Sequence, residues 1–409
     1  MSLVVMKFGG SSVADAEKIK RVAGRVIDKK KAGNNVVVVV SAPGDMTDDL
    51  ITLAEGVTDA PDEREMDMLL ATGEQVSIAL LCMAIKHKGE DAVSLTGPQA
   101  GIHADTTHTR ARITKIIPTK VHDGIDKGRI VIVAGFQGIN PNEDITTLGR
   151  GGSDLTAVAL AAALKADTCE IYTDVEGVYT TDPRVVKKAR KIERISYDEM
   201  LEMAGSGAQV MQARSIEVAK KYGVDIHVRS TFTKNSGTLI TGEEKLRRRE
   251  MEDVVVSAVT FDRKQAKLSI VDVADRPGIA ARVFGALAKG GVNVDMIIQS
   301  AARDRSNDIS FTISRGDVKK ALALLEKVKH DLHANDIISD DKVAKVSIVG
   351  VGMRSHPGVA AKMFETLSKN GINIEMISTS EIIISCAIRE SEVDKAVTVL
   401  HKAFGLNKR

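Results

Sequence analysis

"VVMKFGGSSV" occupies residues 4–13. An apolar run carries one cation, Lys7, and then breaks into Gly9, Gly10, Ser11 and Ser12. The apolar part predicts a buried strand, and Ala14 to Lys30 predicts an amphipathic helix. Glycines between a strand and a helix let the backbone approach a ligand closely. Their free N–H groups and the helix N-terminus attract phosphate. Lys7 adds a point charge suited to phosphoryl oxygens. The same residues also admit a plain reading, a solvated turn with a stray lysine. Neither GxxxxGK followed by Ser or Thr nor GxGxxG occurs, so the turn is not a P-loop or a Rossmann fingerprint.

Outward from this turn the chain alternates strand-like and helix-like segments as far as residue 240. Residues 35–42 and 129–138 predict buried strands, and 168–175 and 224–230 predict further strands. Met66 to His87, Ser153 to Lys165 and much of Tyr197 to Tyr222 predict helices. The alternation predicts a three-layer α/β domain with a mostly parallel sheet, whose ligands gather at the carboxyl ends of the strands.

With 409 residues the chain has room for two or three domains. Its formal net charge of +2, few aromatics and absence of Trp argue against a nucleic-acid partner. No uninterrupted apolar run has the length of a membrane span. Cys82, Cys169 and Cys386 are scattered through apolar stretches without CxxC spacing, which predicts buried thiols in a reducing cytoplasm. His103, His108 and His122 lack metal-ligand spacing and are expected at the surface.

The charged stretch 242–253 predicts a linker or solvated helix, and beyond it lies an internal repeat. "PGIAARVFGALAKGGVNVDMI" (277–297) aligns without gaps on "PGVAAKMFETLSKNGINIEMI" (357–377), with 11 of 21 positions identical. A duplicated βαββαβ domain follows. The first copy can close with a strand near Asp336–Ser339, whereas the second ends in a helix. A surplus strand at 253–261 is therefore expected to complete the second copy, with the first copy inserted within it. The expected boundaries are 1–245 for the α/β domain, 265–341 for copy one, and 253–264 with 342–409 for copy two.

Other stretches carry chemistry. "TTLGRGGSDL" (146–155) opens a helix that Ser153 or Asp154 can cap. Arg150 can hold a carboxylate bidentately and Asp154 can meet an ammonium, the pair of charges an α-amino acid needs. "YTDVEGVYTTDPR" (172–184) sets Asp174 at a strand end before a polar loop that suits a nucleotide. Thr47 in "SAPGDMTDDL" (41–50) and Glu74 in "TGEQ" (72–75) lie beside strand or helix starts. Turn-and-cap roles without a ligand stay open at each of these places.

Taken in order, "KFGGSS", "SAPGDMTDDL", "TGEQ", "FQG", "TTLGRGGSD", "YTDVEGVYTTDPR" and the repeat resemble the monofunctional bacterial aspartate kinases. These belong to the amino-acid kinase fold and carry tandem ACT domains. The resemblance implies ATP with Mg²⁺ and L-aspartate as substrates and 4-phospho-L-aspartate as product. Lys7, Phe8, Gly9, Gly10 and Ser41 would hold the phosphates, with Thr173, Asp174, Tyr179, Arg184 and Gln209 on the ATP side. Ser41, Thr47, Glu74, Arg150, Gly151, Gly152, Ser153 and Asp154 would hold aspartate. Lys7, Gly10 and Asp154 would be catalytic. Two departures stand out: Leu155 replaces the family's usual Thr, and Gln209 replaces a Lys that contacts ATP. The rival readings are another amino-acid kinase and a non-catalytic amino-acid sensor.

Regulation by lysine, threonine or both is implied as well, with pairing of ACT domains into a homodimer or homotetramer. Asp275 carries a charge where the second copy has Ser355, which marks copy one as the principal effector site. There Asp275, Gly278, Ile279, Ala280, Asn293, Val294, Asp295 and Gln299 would bind the effector. Asn373, Ile374, Ser380 and Glu381 of copy two are expected among the effector contacts as well, although copy two, through Asn373 and residues 378–381, would mainly contact a partner chain.

Overall fold

The computed structural model describes residues 1–208, 210–246, 256–300, 306–332, 334–351, 353, 356 and 358–407. The chain divides into two compact units. The described part of the first comprises residues 1–178, 191–204 and 210–246.

Its elements run β1 (Leu3–Phe8), α1 (Ala16–Lys31), β2 (Asn35–Val40), α2 (Met46–Val57), α3 (Glu63–His87) and β3 (Ala92–Leu95). Next come β4 (Ile102–Ala104), β5 (Ile113–Ile116), α4 (Thr119–Asp126), β6 (Ile130–Ala134), β7 (Gln137–Ile139) and β8 (Ile145–Thr147). The unit continues with α5 (Gly152–Leu164), β9 (Thr168–Thr173), β10 (Arg194–Ser196) and α6 (Tyr197–Gly205, its last residue in the second unit). It closes with α7 (Ala213–Tyr222), β11 (Ile226–Ser230), β12 (Thr238–Thr241) and α8 (Glu243–Leu246).

Eight strands form one sheet in the order β10-β12-β11-β9-β1-β2-β6-β3, parallel throughout except between β11 and β12. On one face, Val4, Met6, Phe8, Val36, Val38, Val40, Ile130 and Ile132 pack with α1 and α3. On the other lies α5, which is apolar around nearly its whole circumference and buried along almost its entire length, as such a helix must be. Among the described residues α3 alone is long and apolar enough to cross a membrane. It is a core helix, however, with Asp67 and Glu74 buried on its inner face.

Register puts the site together. Phe8 pairs with Val40 and with Tyr172, and Val40 pairs with Ala134. Three neighbouring strands therefore end in one row and are followed by Gly9, Ser41 and Gly135, with Thr173, the last residue of β9, beside them. The stretch expected as a single strand over 129–138 is split after Ala134. Phe136 takes a left-handed φ of 70°, and a Cβ at Gly135 would lie 2.6 Å from Ser153 Oγ. The chain turns there because the start of α5 occupies the space a straight strand would need. A small second sheet, β5-β4-β7-β8, grows from this break.

The second unit contains β13 (Ala258–Asp262), β14 (Gln265–Ala274), α9 (Ile279–Lys289), β15 (Val294–Gln299), β16 (Ser306–Ser314), α10 (Val318–Leu332) and β17 (Asp336–Asp340). It ends with β18 (Val343–Val349), α11 (Val359–Lys369), β19 (Met376–Thr379), β20 (Ile383–Arg389) and α12 (Val393–Ala403). The sheets are β15-β16-β14-β17 and β13-β18-β20-β19. Strand β13 precedes copy one in the chain yet pairs antiparallel with β18 of copy two. It occupies the position that β17 fills beside β14.

The two copies answer each other in charge. Lys267 and Lys345 hold the same place in "AKLSIV" and "AKVSIV", and Asp295 and Glu375 hold the same place in the repeat. Lys345 pairs with Asp295, and Lys267 with Glu375 at 3.6 Å, so each copy's lysine meets the other's acid. Met296, Met376 and Ala387 form a small apolar cluster beside them.

Residues 179–190 and 205–208, from within the expected 1–245 segment, belong to this second unit. Val185 and Val186 pack into the core of copy two. Thr180 Oγ1 meets His401 Nε2 at 2.9 Å, and Thr180 O accepts the N–H of Val259. Ser206 bonds Thr260 through their hydroxyls.

Candidate active site

Lys7 lies one residue before the end of β1, where strand alternation turns it away from the α1–α3 face. Its ammonium is buried and pairs with Asp154 at 2.5 Å. Beyond Phe8, whose ring stacks on Tyr172 at 4.7 Å, the chain enters a short 3₁₀ turn, Gly10–Ser12. A Cβ on Gly10 would lie 2.8 Å from the carbonyl of Ala42 and 2.9 Å from that of Gly44. Only glycine lets the β1 turn and the loop after β2 touch. Two hydrogen bonds fix that contact, Ser41 N–H to Phe8 O and Gly44 N–H to Gly10 O.

The loop after β2 is pinned from the opposite side by α3. A Cβ on Gly73 would lie 2.7 Å from Ala42 Cβ, so the helix can approach only there. The next residue, Glu74, accepts the Ala42 N–H at 3.1 Å through Oε1, while its buried Oε2 has no hydrogen-bond partner. Burial raises the Glu74 carboxyl to about 7. A buried carboxylate oxygen without a donor is costly, and a cationic ligand would relieve it. Thr47 sits half-buried in the first turn of α2.

The second glycine turn carries Arg150 exposed between Gly149 (φ 76°) and Gly151 (φ 72°). The expectation that Ser153 or Asp154 caps the helix is corrected here. Gly151 is the N-cap, without a side-chain cap bond, because the helix starts at Gly152. That places Ser153 and Asp154 within the first turn and frees Asp154 for Lys7. Leu155, the departure from the family pattern, is buried in a small cluster with Ala104, Ala111 and Leu148.

At the end of β9, Thr173 Oγ1 donates to Asp174 Oδ1 at 3.0 Å, beside the β1 turn. Tyr179 and Arg184 lie in the 179–190 segment of the second unit. The Arg184 guanidinium is exposed and bonds Asp182 through Nε and Nη2. Gln209 and Ser355 fall outside the described residues.

His108, expected at the surface, is half-buried, and its Nδ1 meets the fully buried Asp67 at 2.7 Å. Asp67 carried no motif and was not singled out from the sequence. Only its place two helical turns before Glu74, on the same face of α3, could have marked it.

Of the residues marked for an effector in copy one, Asp275 accepts from Asn307 Nδ2 at 2.9 Å. Gly278 is the N-cap of α9 at φ 96°, Ile279 is buried, and Ala280, Asn293 and Gln299 are exposed. Val294 is half-buried, and Asp295 is engaged by Lys345. In copy two, Asn373 and Glu381 are exposed, Ile374 packs against the core, and Ser380 closes a turn onto Ile383 O.

Known proteins share this architecture. Residues 2–230 match the amino acid kinase family, and residues 268–328 and 346–404 match an ACT domain. The chain is 52% identical to an aspartokinase of Mycolicibacterium smegmatis, over 99% of this chain and 97% of that one. It is 51% identical to an aspartate kinase of Pseudomonas putida, over 100% and 98%. Aspartokinase III of Escherichia coli, solved with aspartate and ADP, superposes with a TM-score of 0.83 at 26% identity, covering 98% of this chain and 99% of that one. The same enzyme with lysine and aspartate gives 0.76, with the same identity and coverage. The chain belongs to the amino acid kinase family, within its aspartokinases.

Proposed function

We propose that this site transfers the γ-phosphoryl group of ATP to the β-carboxylate of L-aspartate, giving 4-phospho-L-aspartate and ADP. The observation that carries the reading is the buried Lys7–Asp154 pair between two glycine turns, with the unpartnered oxygen of Glu74 on α3. Lys7 and the Gly9–Gly10 turn neutralise and cradle the phosphates. Arg150 takes a carboxylate of aspartate, and Glu74 and Asp154 offer negative charge to its ammonium, with Thr47 and Ser41 completing the pocket. Thr173 and Asp174 serve the nucleotide.

The acceptor is already ionised at neutral pH, so the chemistry needs no general base. Catalysis is then alignment and charge neutralisation. Among the described residues no cluster of three His, Cys, Asp or Glu side chains could hold a metal ion. Mg²⁺ would be brought as part of the Mg·ATP substrate and would neutralise phosphate charge there.

The ACT copies supply regulation. Asp275 and the start of α9 form an amino-acid effector site for lysine, threonine or both. The copies also pair across chains into a homodimer or homotetramer. Conversion of Asp275 to Ser should relieve inhibition by these amino acids; unchanged inhibition would move the site elsewhere.

A panel of acceptors tests the catalytic reading. ADP release from Mg·ATP should respond to L-aspartate and not to glutamate, acetylglutamate, carbamate or UMP. Equal release with another acceptor would assign the site to a different amino-acid kinase.

A further inference from the structure

The Arg150 turn has little rigidity of its own. Gly149 and Gly151 flank the arginine, both in the left-handed region, and glycine restrains its neighbours least. A guanidinium that must meet a carboxylate in a fixed fork needs a support outside the turn.

Asp67 provides that support. Its side chain is fully buried on the inner face of α3, and both oxygens are used. Oδ1 accepts the Thr147 hydroxyl at 2.5 Å and the Thr109 N–H at 3.1 Å. Oδ2 meets His108 Nδ1 at 2.7 Å and the same Thr109 N–H at 3.1 Å. Thr147 ends β8, three residues before Arg150. Thr109 has a φ of 61°, a strained conformation for a β-branched residue that persists only where the surroundings enforce it. Its carbonyl lies so close to Gly149 that a Cβ there would sit 3.2 Å away. Arg214 closes the arrangement by donating to Leu148 O at 2.7 Å and to Ala111 O at 2.9 Å.

We infer that Asp67 is a positioning residue for aspartate binding: it anchors the strand end and the strained loop that together hold the Arg150 turn. It does not touch substrate. The same helix carries Glu74 seven residues later, about 10 Å along the axis. One rigid element thus fixes the group for the substrate ammonium and the base of the group for its carboxylate. The inference rests on the assignment of Arg150 to aspartate.

The test is steady-state kinetics of Asp67→Asn and of Thr147→Val, which removes one donor and keeps the side chain's shape. Displacing a substrate-positioning group by about 1 Å costs up to 10²-fold. Both variants are expected to raise the KM for aspartate at least tenfold, while the KM for ATP stays within twofold. On an Arg150→Ala background, Asp67→Asn should add nothing further to the KM for aspartate. Loss of active protein with both KM values unchanged would mean that Asp67 only stabilises the fold, and would overturn the inference. If Asp67→Asn does not yield folded protein, Thr147→Val decides by the same criteria. The Arg150→Ala control separates the two failures. An unchanged KM for aspartate in that variant refutes the assignment of Arg150, whereas a raised one, with Asp67→Asn and Thr147→Val silent, refutes only the role of Asp67.

Discussion

Lys7 and Asp154 meet at 2.5 Å in a buried pocket, one from the strand that opens the chain and the other from the first turn of the helix after the second glycine turn. The pair joins the proposed phosphate cradle to the proposed aspartate site. Removing Lys7 leaves a buried carboxylate uncompensated. Lys7→Ala is predicted to lower kcat by ~10²–10³ while the protein stays folded. Near-normal turnover, measured by coupled ADP release on protein with an unchanged circular-dichroism spectrum, would refute the cradle.

Glu74 sets a pH dependence. Its carboxyl rises from the ordinary 4.5 to about 7 because it is buried. The free protein therefore holds a proton on Glu74 below that value, and the stability this form contributes is lost as the pH rises through 7. An ammonium ligand needs the ionised form. The KM for aspartate is predicted to rise by up to about tenfold per pH unit below 7 and to level off above it. In Glu74→Gln the slope should vanish and the KM should be high throughout. A wild-type profile flat from pH 5.5 to 8 would remove Glu74 from the aspartate site.

The positions of Lys7 and Asp67 show what the sequence discloses and what it hides. Lys7 was legible because a cation and two glycines at a strand end violate the pattern of a buried strand. The parallel sheet was legible from its β-branched runs, and the doubled ACT architecture from the repeat. Asp67 was not, since its partners His108, Thr109 and Thr147 are distant in sequence, and of these only Thr147 lies in a stretch the sequence marks out. The break at Phe136 was hidden for a similar reason: residues 129–138 look like one apolar run, and the obstacle is Ser153 on another element. Residues 179–190 looked like a loop of the kinase domain, because the sequence does not show that Thr180 faces His401.

That buried contact makes its own prediction. Burial first, then the Arg190 charge, lowers the His401 pKa from the usual 6.5. Between the two values the unfolded chain binds the extra proton, so stability is full above 6.5 and falls as the pH drops below it. The thermal midpoint of wild type should decline between pH 7 and 5.5 more steeply than that of His401→Gln. Parallel declines would show that His401 is not held neutral in the fold.

Between the ACT copies, Lys345 is almost fully buried and depends on Asp295 and on the Gly205 carbonyl. Asp295→Asn leaves that ammonium without an anion and should cost about 1–3 kcal/mol in denaturant unfolding. Lys345→Met removes the charge together with its desolvation penalty and should be milder. The reverse order would mean that the pair is not what fixes the two copies.

Trapping the product is the most direct test of the proposed reaction. With Mg·ATP, L-aspartate and hydroxylamine, an acyl phosphate at the side chain is captured as the β-hydroxamate. The prediction is β-aspartyl hydroxamate formed in step with ADP and abolished with it in Lys7→Ala. ADP release without hydroxamate, or capture at the α-carboxyl group, would contradict phosphoryl transfer to the β-carboxylate.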